Sequence, residues 1–371
     1  MGLRSSAMCM AMALVFPAHA VAQSTPVVGP DATVSVPNFK LPFSSLASPE
    51  ARALRKRMAR DPFPFAEFAA KGIDQLRRAM DERYIVPQLA RMQARYPATV
   101  EDSVLGGVPV QIVRPQSGIP SRNRKRILIN LHGGGFVLGA RTQSLVESIP
   151  FAVVGEIEVV SVDYRLAPEH RWPAANEDLN AVYKALLKTH RPSDIAIYGC
   201  SAGGLLTAQS VGWFAQAKLP LPAALGIFCS STRETSFGDS AYITPALGSI
   251  LPAPAPGDNG LGPYFSTADT SSPLVIPSLA KSLLGRFPPT ILISGTRASE
   301  MSAITRSHID LVQAGVDARM FLWDGMDHGF LSEADLPESR EVYRIATEFF
   351  HEAMARGGGR TATLQQHRTR R

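Results

Sequence analysis

Residues 198–206 read YGCSAGGLL and place Ser201 in the pattern G-x-S-x-G. The stretch follows an apolar run, DIAIYG (194–199), and leads into a helix-forming segment, AGGLLTAQSVGWFAQA (202–217). A strand that turns sharply into a helix is the setting in which such a serine is presented as a nucleophile. The turn is tight, and Gly199, Ala202, Gly203 and Gly204 supply the small residues that close backbone approach requires. The helix N-terminus directs N–H groups and a positive partial charge toward Ser201, which favours an anion formed there. Alone, the pattern also fits a plain glycine turn, so the rest of the chain has to decide.

Outward from this stretch, short β-like runs alternate with helical ones. VPVQIVRP (108–115), RILINLHG (126–133), EVVSVDYR (158–165), ALGIFC (224–229), TILISGT (290–296) and DARMFLWD (317–324) read as strands. NEDLNAVYKALLKTH (176–190) and segments near 302–314 and 337–355 read as helices. Several strands are continuous apolar runs, as expected when helices cover both sheet faces. The alternation predicts an α/β fold with a mostly parallel, doubly wound sheet. Upstream, residues 49–60 and 65–95 read as helical, with Ile73, Leu76, Met80 and Tyr84 at three- and four-residue spacing. Residues 23–100 are therefore expected to form an entry arm and a small helical cap, and 101–355 the core. Within the core, 233–286 is rich in Pro, Gly, Ser and Asp and too long for a simple connection, which predicts a lid or cap insertion.

Composition excludes several classes. The chain has 371 residues, 45% of them hydrophobic and 19% charged, typical of a globular protein. Of the net charge of +6, five arginines lie in residues 356–371 and another is Arg4, which leaves a neutral body. The basic tail reads as disordered, and nucleic acid is not an expected partner. MGLRSSAMCMAMALVFPAHAVAQS (1–24) has one early cation, a short apolar stretch and small-residue exits. It predicts a signal peptide over 1–22 and a periplasmic or secreted protein. No other apolar run is long enough for a membrane span. Cleavage would leave Cys200 and Cys229, read as two buried thiols rather than a bridge, and no metal spacing.

The remaining chemistry is spread along the chain. NLHGGGFVLG (130–139) follows a strand, and its glycines leave bare N–H groups that, with the N–H of Ala202, form an oxyanion hole. A phosphate loop is excluded, because neither G-x-G-x-x-G nor a Gly-Lys-Ser/Thr ending is present. His328, in FLWDGMDHGF (321–330), sits just after a strand in a Gly-flanked loop and is the candidate base. Activity is expected to rise on its deprotonation, with an apparent pKa near ~6.5.

LHGGGF (131–136), VDYRLAPEHRWPAA (162–175), GCSAGG (199–204), PYFSTADTSSPLVIPSLA (263–280) and DGMDHGF (324–330), in this order, resemble the hormone-sensitive-lipase-like branch of α/β-hydrolase esterases. The resemblance covers roughly 101–355. It implies an eight-stranded hydrolase sheet, a helical cap from the N-terminal segment, no cofactor and activity on short acyl esters. Carried over by position, Ser201 is the nucleophile, His328 the base, and Gly134, Gly135 and Ala202 the oxyanion hole. Asp163 to His170, Trp172 and Pro173 are structural in that pattern. Two positions depart from it. Cys200 replaces the usual Asp before the nucleophile. Ala298 stands where the triad acid is usual, and the nearest carboxylate is Glu300. If the backbone there is extended, Glu300 returns to the same face and becomes the acid; Asp324 and Asp327 are nearer to His328 in sequence but expected to be mispositioned. The reading is a serine carboxylesterase acting on a small-molecule ester, with homo-oligomers left open. Cleavage of an amide, lactone or acetylated sugar by the same residues, and a non-catalytic binding module, are the alternatives.

Overall fold

The structure is a computed structural model that describes residues 26–36, 40–233, 238–249, 253 and 261–359. The expected signal segment, 1–22, and residues 360–371 of the basic tail lie outside them, as does much of 234–260. The chain divides into two compact units, Met1–Pro42 and Phe43–Arg371. In the first, β1 (Val27–Val28) and β2 (Val34–Ser35) form a short antiparallel pair.

The second unit opens with α1 (Pro49–Arg60), α2 (Phe65–Ala70), α3 (Ile73–Met80) and α4 (Val86–Arg95), with one π-helical turn at Asp81–Ile85. Helix α1 begins at a capping serine: Ser48 accepts the Ala51 N–H at 3.0 Å and Pro49 occupies the first turn. Arg77 of α3 ties this region to the core by donating to the carbonyls of Val137 and Ala167.

The core sheet comprises β3 (Ala98–Leu105), β4 (Val108–Pro115), β5 (Ile127–Leu131), β6 (Glu158–Val162), β7 (Ile195–Cys200), β8 (Ala224–Phe228), β9 (Thr290–Gly295) and β10 (Ala318–Trp323). Its order is β10-β9-β8-β7-β5-β6-β4-β3. The pairs β3–β4 and β4–β6 are antiparallel and all others parallel. The intervening helices are α5 (Gln143–Gly155), α6 (Ala174–Leu186), α7 (Ala202–Gln216), α8 (Ser240–Ala246), α9 (Lys281–Leu284), α10 (Met301–Gln313) and α11 (Pro337–Gly359).

Both faces of the sheet are covered, which accounts for the unbroken apolar runs. Ile127, Ile129 and Leu131 of β5 pack on one side with Leu206, Val211 and Phe214 of α7. Leu128 points the other way, into a cluster with Phe151 of α5 and Phe350 of α11. Residues 261–286 also belong to the packed body: Tyr264 is buried and stacks on Phe136 at 4.5 Å, and Gln209 donates to the Val275 carbonyl at 2.8 Å. The parallel strands β5, β7 and β9 and their neighbour β10 all end at one edge of the sheet. The loops that follow them carry Gly133–Gly135, Ser201, Glu300 and His328.

Candidate active site

Ser201 stands between β7 and α7 with φ +57° and ψ −120°. A non-glycine residue in such a conformation carries about 1–3 kcal/mol of strain and persists only where its surroundings hold it. Here the Ser201 N–H donates to the Phe228 carbonyl at 2.8 Å. The flanking glycines let the turn press onto the end of β5: a Cβ on Gly203 would lie 1.7 Å from the Leu131 carbonyl oxygen. The strand-turn-helix expected from YGCSAGGLL is thus a tight elbow that lifts the Ser201 hydroxyl out of the sheet edge.

His328 meets it there. Its Nε2 lies 2.9 Å from Ser201 Oγ. Its Nδ1 lies 3.0 Å from Glu300 Oε2, somewhat off the ring's N–H axis. A carboxylate only accepts, so Nδ1 carries the ring proton and Nε2 is left to accept from the serine hydroxyl. The loop after β10 presents the ring: Gly325 and Gly329 take φ of +78° and +69°, and Asp327 accepts the His328 backbone N–H at 2.8 Å.

Glu300 reaches His328 by a different route from the one the sequence suggested. Residues 296–300 form turns rather than extended backbone, and Glu300 sits at the N-cap of α10 with φ −82° and ψ 1°. The turn, not strand alternation, aims the carboxylate, while Ala298 is buried. Glu300 is 1% exposed and also accepts from Ser294 Oγ at 2.9 Å. The charge on each partner shifts the other: Glu300 pushes the His328 imidazole above its ordinary 6.5 against the effect of burial, and His328 holds Glu300 below its ordinary value. Asp324 is engaged by Ser44 and by Thr296 Oγ1 at 2.9 Å. Asp327 bonds Ser249 at 2.9 Å and pairs with Arg55 at 3.6 Å. Neither faces Nδ1, as expected.

The glycine loop closes the site from β5. Gly134 (φ +115°) folds the chain back so that the Val137 and Leu138 N–H groups donate to its carbonyl. Among the described residues, the N–H groups of Gly134, Gly135 and Ala202 donate to no protein group. His132 is structural. Its ring stacks on Tyr164 at 4.3 Å, its Nδ1 donates to the Gly133 carbonyl at 2.7 Å, and burial lowers its pKa to about 4, which keeps it neutral. Cys200 and Cys229 are buried free thiols; the Cys229 sulfur accepts the Gly329 N–H at 3.3 Å. No group of three or more His, Cys, Asp or Glu side chains among the described residues could hold a metal ion, and no helix among them is long and apolar enough to cross a membrane.

One residue at this site has no counterpart in the sequence reading. Glu147 of α5 is buried, and its carboxylate accepts the Gly133 N–H at 2.9 Å, beside the oxyanion loop.

Comparison with known proteins shows the same fold. A family model described as alpha/beta hydrolase fold matches residues 128–332. An esterase of Acinetobacter venetianus is 26% identical over 285 residues, covering 72% of this chain and 87% of the relative. The crystal structure of esterase E25 matches with a TM-score of 0.73 at 28% identity, covering 86% of this chain and 98% of that one. An esterase described as a member of the bacterial hormone-sensitive lipase family matches with a TM-score of 0.69 at 27% identity, covering 83% of this chain and 99% of the other.

Proposed function

Because this chain belongs to the alpha/beta hydrolase fold family, and to its hormone-sensitive-lipase-like esterases, we propose that it cleaves short-acyl carboxylic esters through an acyl-enzyme on Ser201. The observation that carries the proposal is the relay in which Ser201 Oγ lies 2.9 Å from His328 Nε2 and His328 Nδ1 lies 3.0 Å from Glu300.

In this reading His328 takes the Ser201 proton as Oγ attacks the ester carbonyl. The N–H groups of Gly134, Gly135 and Ala202 receive the negative charge that develops on the carbonyl oxygen, and each such donor is typically worth roughly 10²–10³ in rate. Glu300 keeps its charge and stabilises the imidazolium. His328 then gives its proton to the departing alcohol. A water molecule, activated by the same imidazole, releases the carboxylic acid and restores Ser201.

The surrounding elements support further parts of the proposal. Helices α1–α4 form a cap, and residues 238–249 a cover, held against the site through Ser240 to the Ser299 carbonyl at 2.7 Å and Ser249 to Asp327. The N-terminal signal pattern supports export to the periplasm or the medium.

Labelling with a fluorophosphonate tests the chemistry. One phosphonyl adduct on Ser201, located by peptide mass spectrometry and absent from Ser201→Ala, is expected. An adduct elsewhere, or none, would contradict it.

A further inference from the structure

Glu147 lies in the middle of α5 and is 2% exposed. Its carboxylate is surrounded by donors. Oε1 accepts the Gly133 N–H at 2.9 Å and Gln143 Nε2 at 3.0 Å, and Oε2 accepts Asn130 Nδ2 at 3.2 Å. The backbone N–H of Cys200 faces the same carboxylate and favours its charged form. These donors belong to separate segments: Gly133 precedes Gly134 in the glycine loop, and Cys200 precedes Ser201 in the elbow. Gly133 fits between them so closely that a Cβ there would lie 3.2 Å from Glu147 Oε1 and 3.5 Å from the Ser201 Cβ.

The helix that carries Glu147 is itself anchored. Tyr198 donates its hydroxyl to the Glu147 carbonyl at 3.1 Å, and Gln143 also donates to Ser332 Oγ at 3.0 Å. Among the described residues no cation is among the groups that act on Glu147. Burying a charge without a counter-ion is costly, and burial raises this carboxyl to about 7. A site made only of donors selects an acceptor-only group, since an amide would turn its NH₂ toward one of them.

We propose that Glu147 is a positioning residue for ester hydrolysis: its carboxylate ties the Gly133–Gly135 loop to the Ser201 elbow and sets the spacing between the Gly134 and Gly135 N–H groups on one side and the Ala202 N–H on the other. The inference rests on the reading of Ser201 as nucleophile. Oxyanion donors act at about 2.7–3.1 Å from the developing charge, and a shift of about 1 Å costs on the order of a hundredfold. Glu147 touches no substrate; it acts through the two loops.

The test compares full-length wild type, Glu147→Gln and Ser201→Ala with p-nitrophenyl butyrate, and with butylboronic acid, which forms a tetrahedral adduct on a nucleophilic serine. Glu147→Gln is expected to lower kcat about 10–100-fold and weaken boronate binding in parallel, with KM within about threefold. Its thermal midpoint falls while the fold is kept, because one buried donor loses its acceptor. Wild-type kcat and boronate affinity in Glu147→Gln overturn the proposal. If that variant does not fold, Glu147→Asp, which keeps an acceptor-only group, takes its place: weakened boronate binding supports the role and unchanged binding overturns it. Failure of both to fold also overturns it, in favour of a structural role. Equal rates for wild type and Ser201→Ala would sink the nucleophile assignment itself; a clear difference between them, with Glu147→Gln at the wild-type level, would remove Glu147 alone.

Discussion

Replacing Glu300 by Gln removes one negative charge while nearly preserving shape. The carboxylate stands 3.0 Å from His328 Nδ1, both groups are buried, and an effective dielectric near 20 puts their attraction at about 5 kcal/mol. That attraction is absent in the neutral imidazole and present in the imidazolium that forms as Ser201 attacks. Losing it should raise the barrier by nearly that amount, between three and four decades in rate at roughly 1.4 kcal/mol per decade. Loss of the orienting acid in triad enzymes costs a comparable ~10⁴ in kcat. The same charge governs the pH profile. His328 must be neutral to act, so wild-type kcat/KM rises with pH, and because Glu300 raises the imidazole above 6.5 the midpoint lies above that value. The expected midpoint is therefore higher than the free-imidazole value. In Glu300→Gln the largest raising influence is gone, burial still disfavours the cation while Cys229 and Asp327 favour it more weakly, and the midpoint moves to lower pH. Initial rates of p-nitrophenyl butyrate hydrolysis from pH 5 to 10 measure both effects. A rate within about threefold of wild type, with an unmoved midpoint, would refute the assignment and the electrostatic argument together.

Asp324→Asn should keep the rate within about threefold, since Asp324 serves Ser44 and Thr296 rather than His328; a fall as deep as that of Glu300→Gln would transfer the acid role. Gly203→Ala should lose more than about 4 kcal/mol of stability, because its Cβ would overlap the Leu131 carbonyl at 1.7 Å. A wild-type thermal midpoint in that variant would contradict the close elbow packing. Cys200→Ala should remain an active esterase within about tenfold, because the elbow presents Ser201 while the Cys200 side chain is buried beside Cys229. Inactivity in a folded Cys200→Ala would argue for a thiol nucleophile.

The sheet was legible wherever strands are buried on both faces, as in Ile127–Leu131 and Thr290–Gly295, since burial demands unbroken apolar runs. The edge strand β3 was not. ATVEDSVL is largely exposed, carries adjacent Glu101 and Asp102, and gains its conformation from pairing with β4 along its whole length. Ser201 and His328 were legible because glycines and strand ends mark their loops. Glu300 was found for a reason that does not operate: a turn and the start of α10 aim it, and turn geometry is not written in residue spacing. Glu147 left a fainter signal. QSLVESIPFAVVG is apolar nearly all round, and a helix with no solvent face has nowhere exposed to place a carboxylate. A charged residue in such a helix implies buried donors, but their identity emerges only when β5, β7 and α5 converge.

In the proposed reaction the Ser201 hydroxyl, activated by His328, performs the ester cleavage. Initial rates of p-nitrophenyl butyrate hydrolysis by the purified protein beside Ser201→Ala test it most directly. A clear rate is expected in the wild type, with a loss of at least about 10³-fold in a variant that folds normally. Equal rates in the two would contradict it.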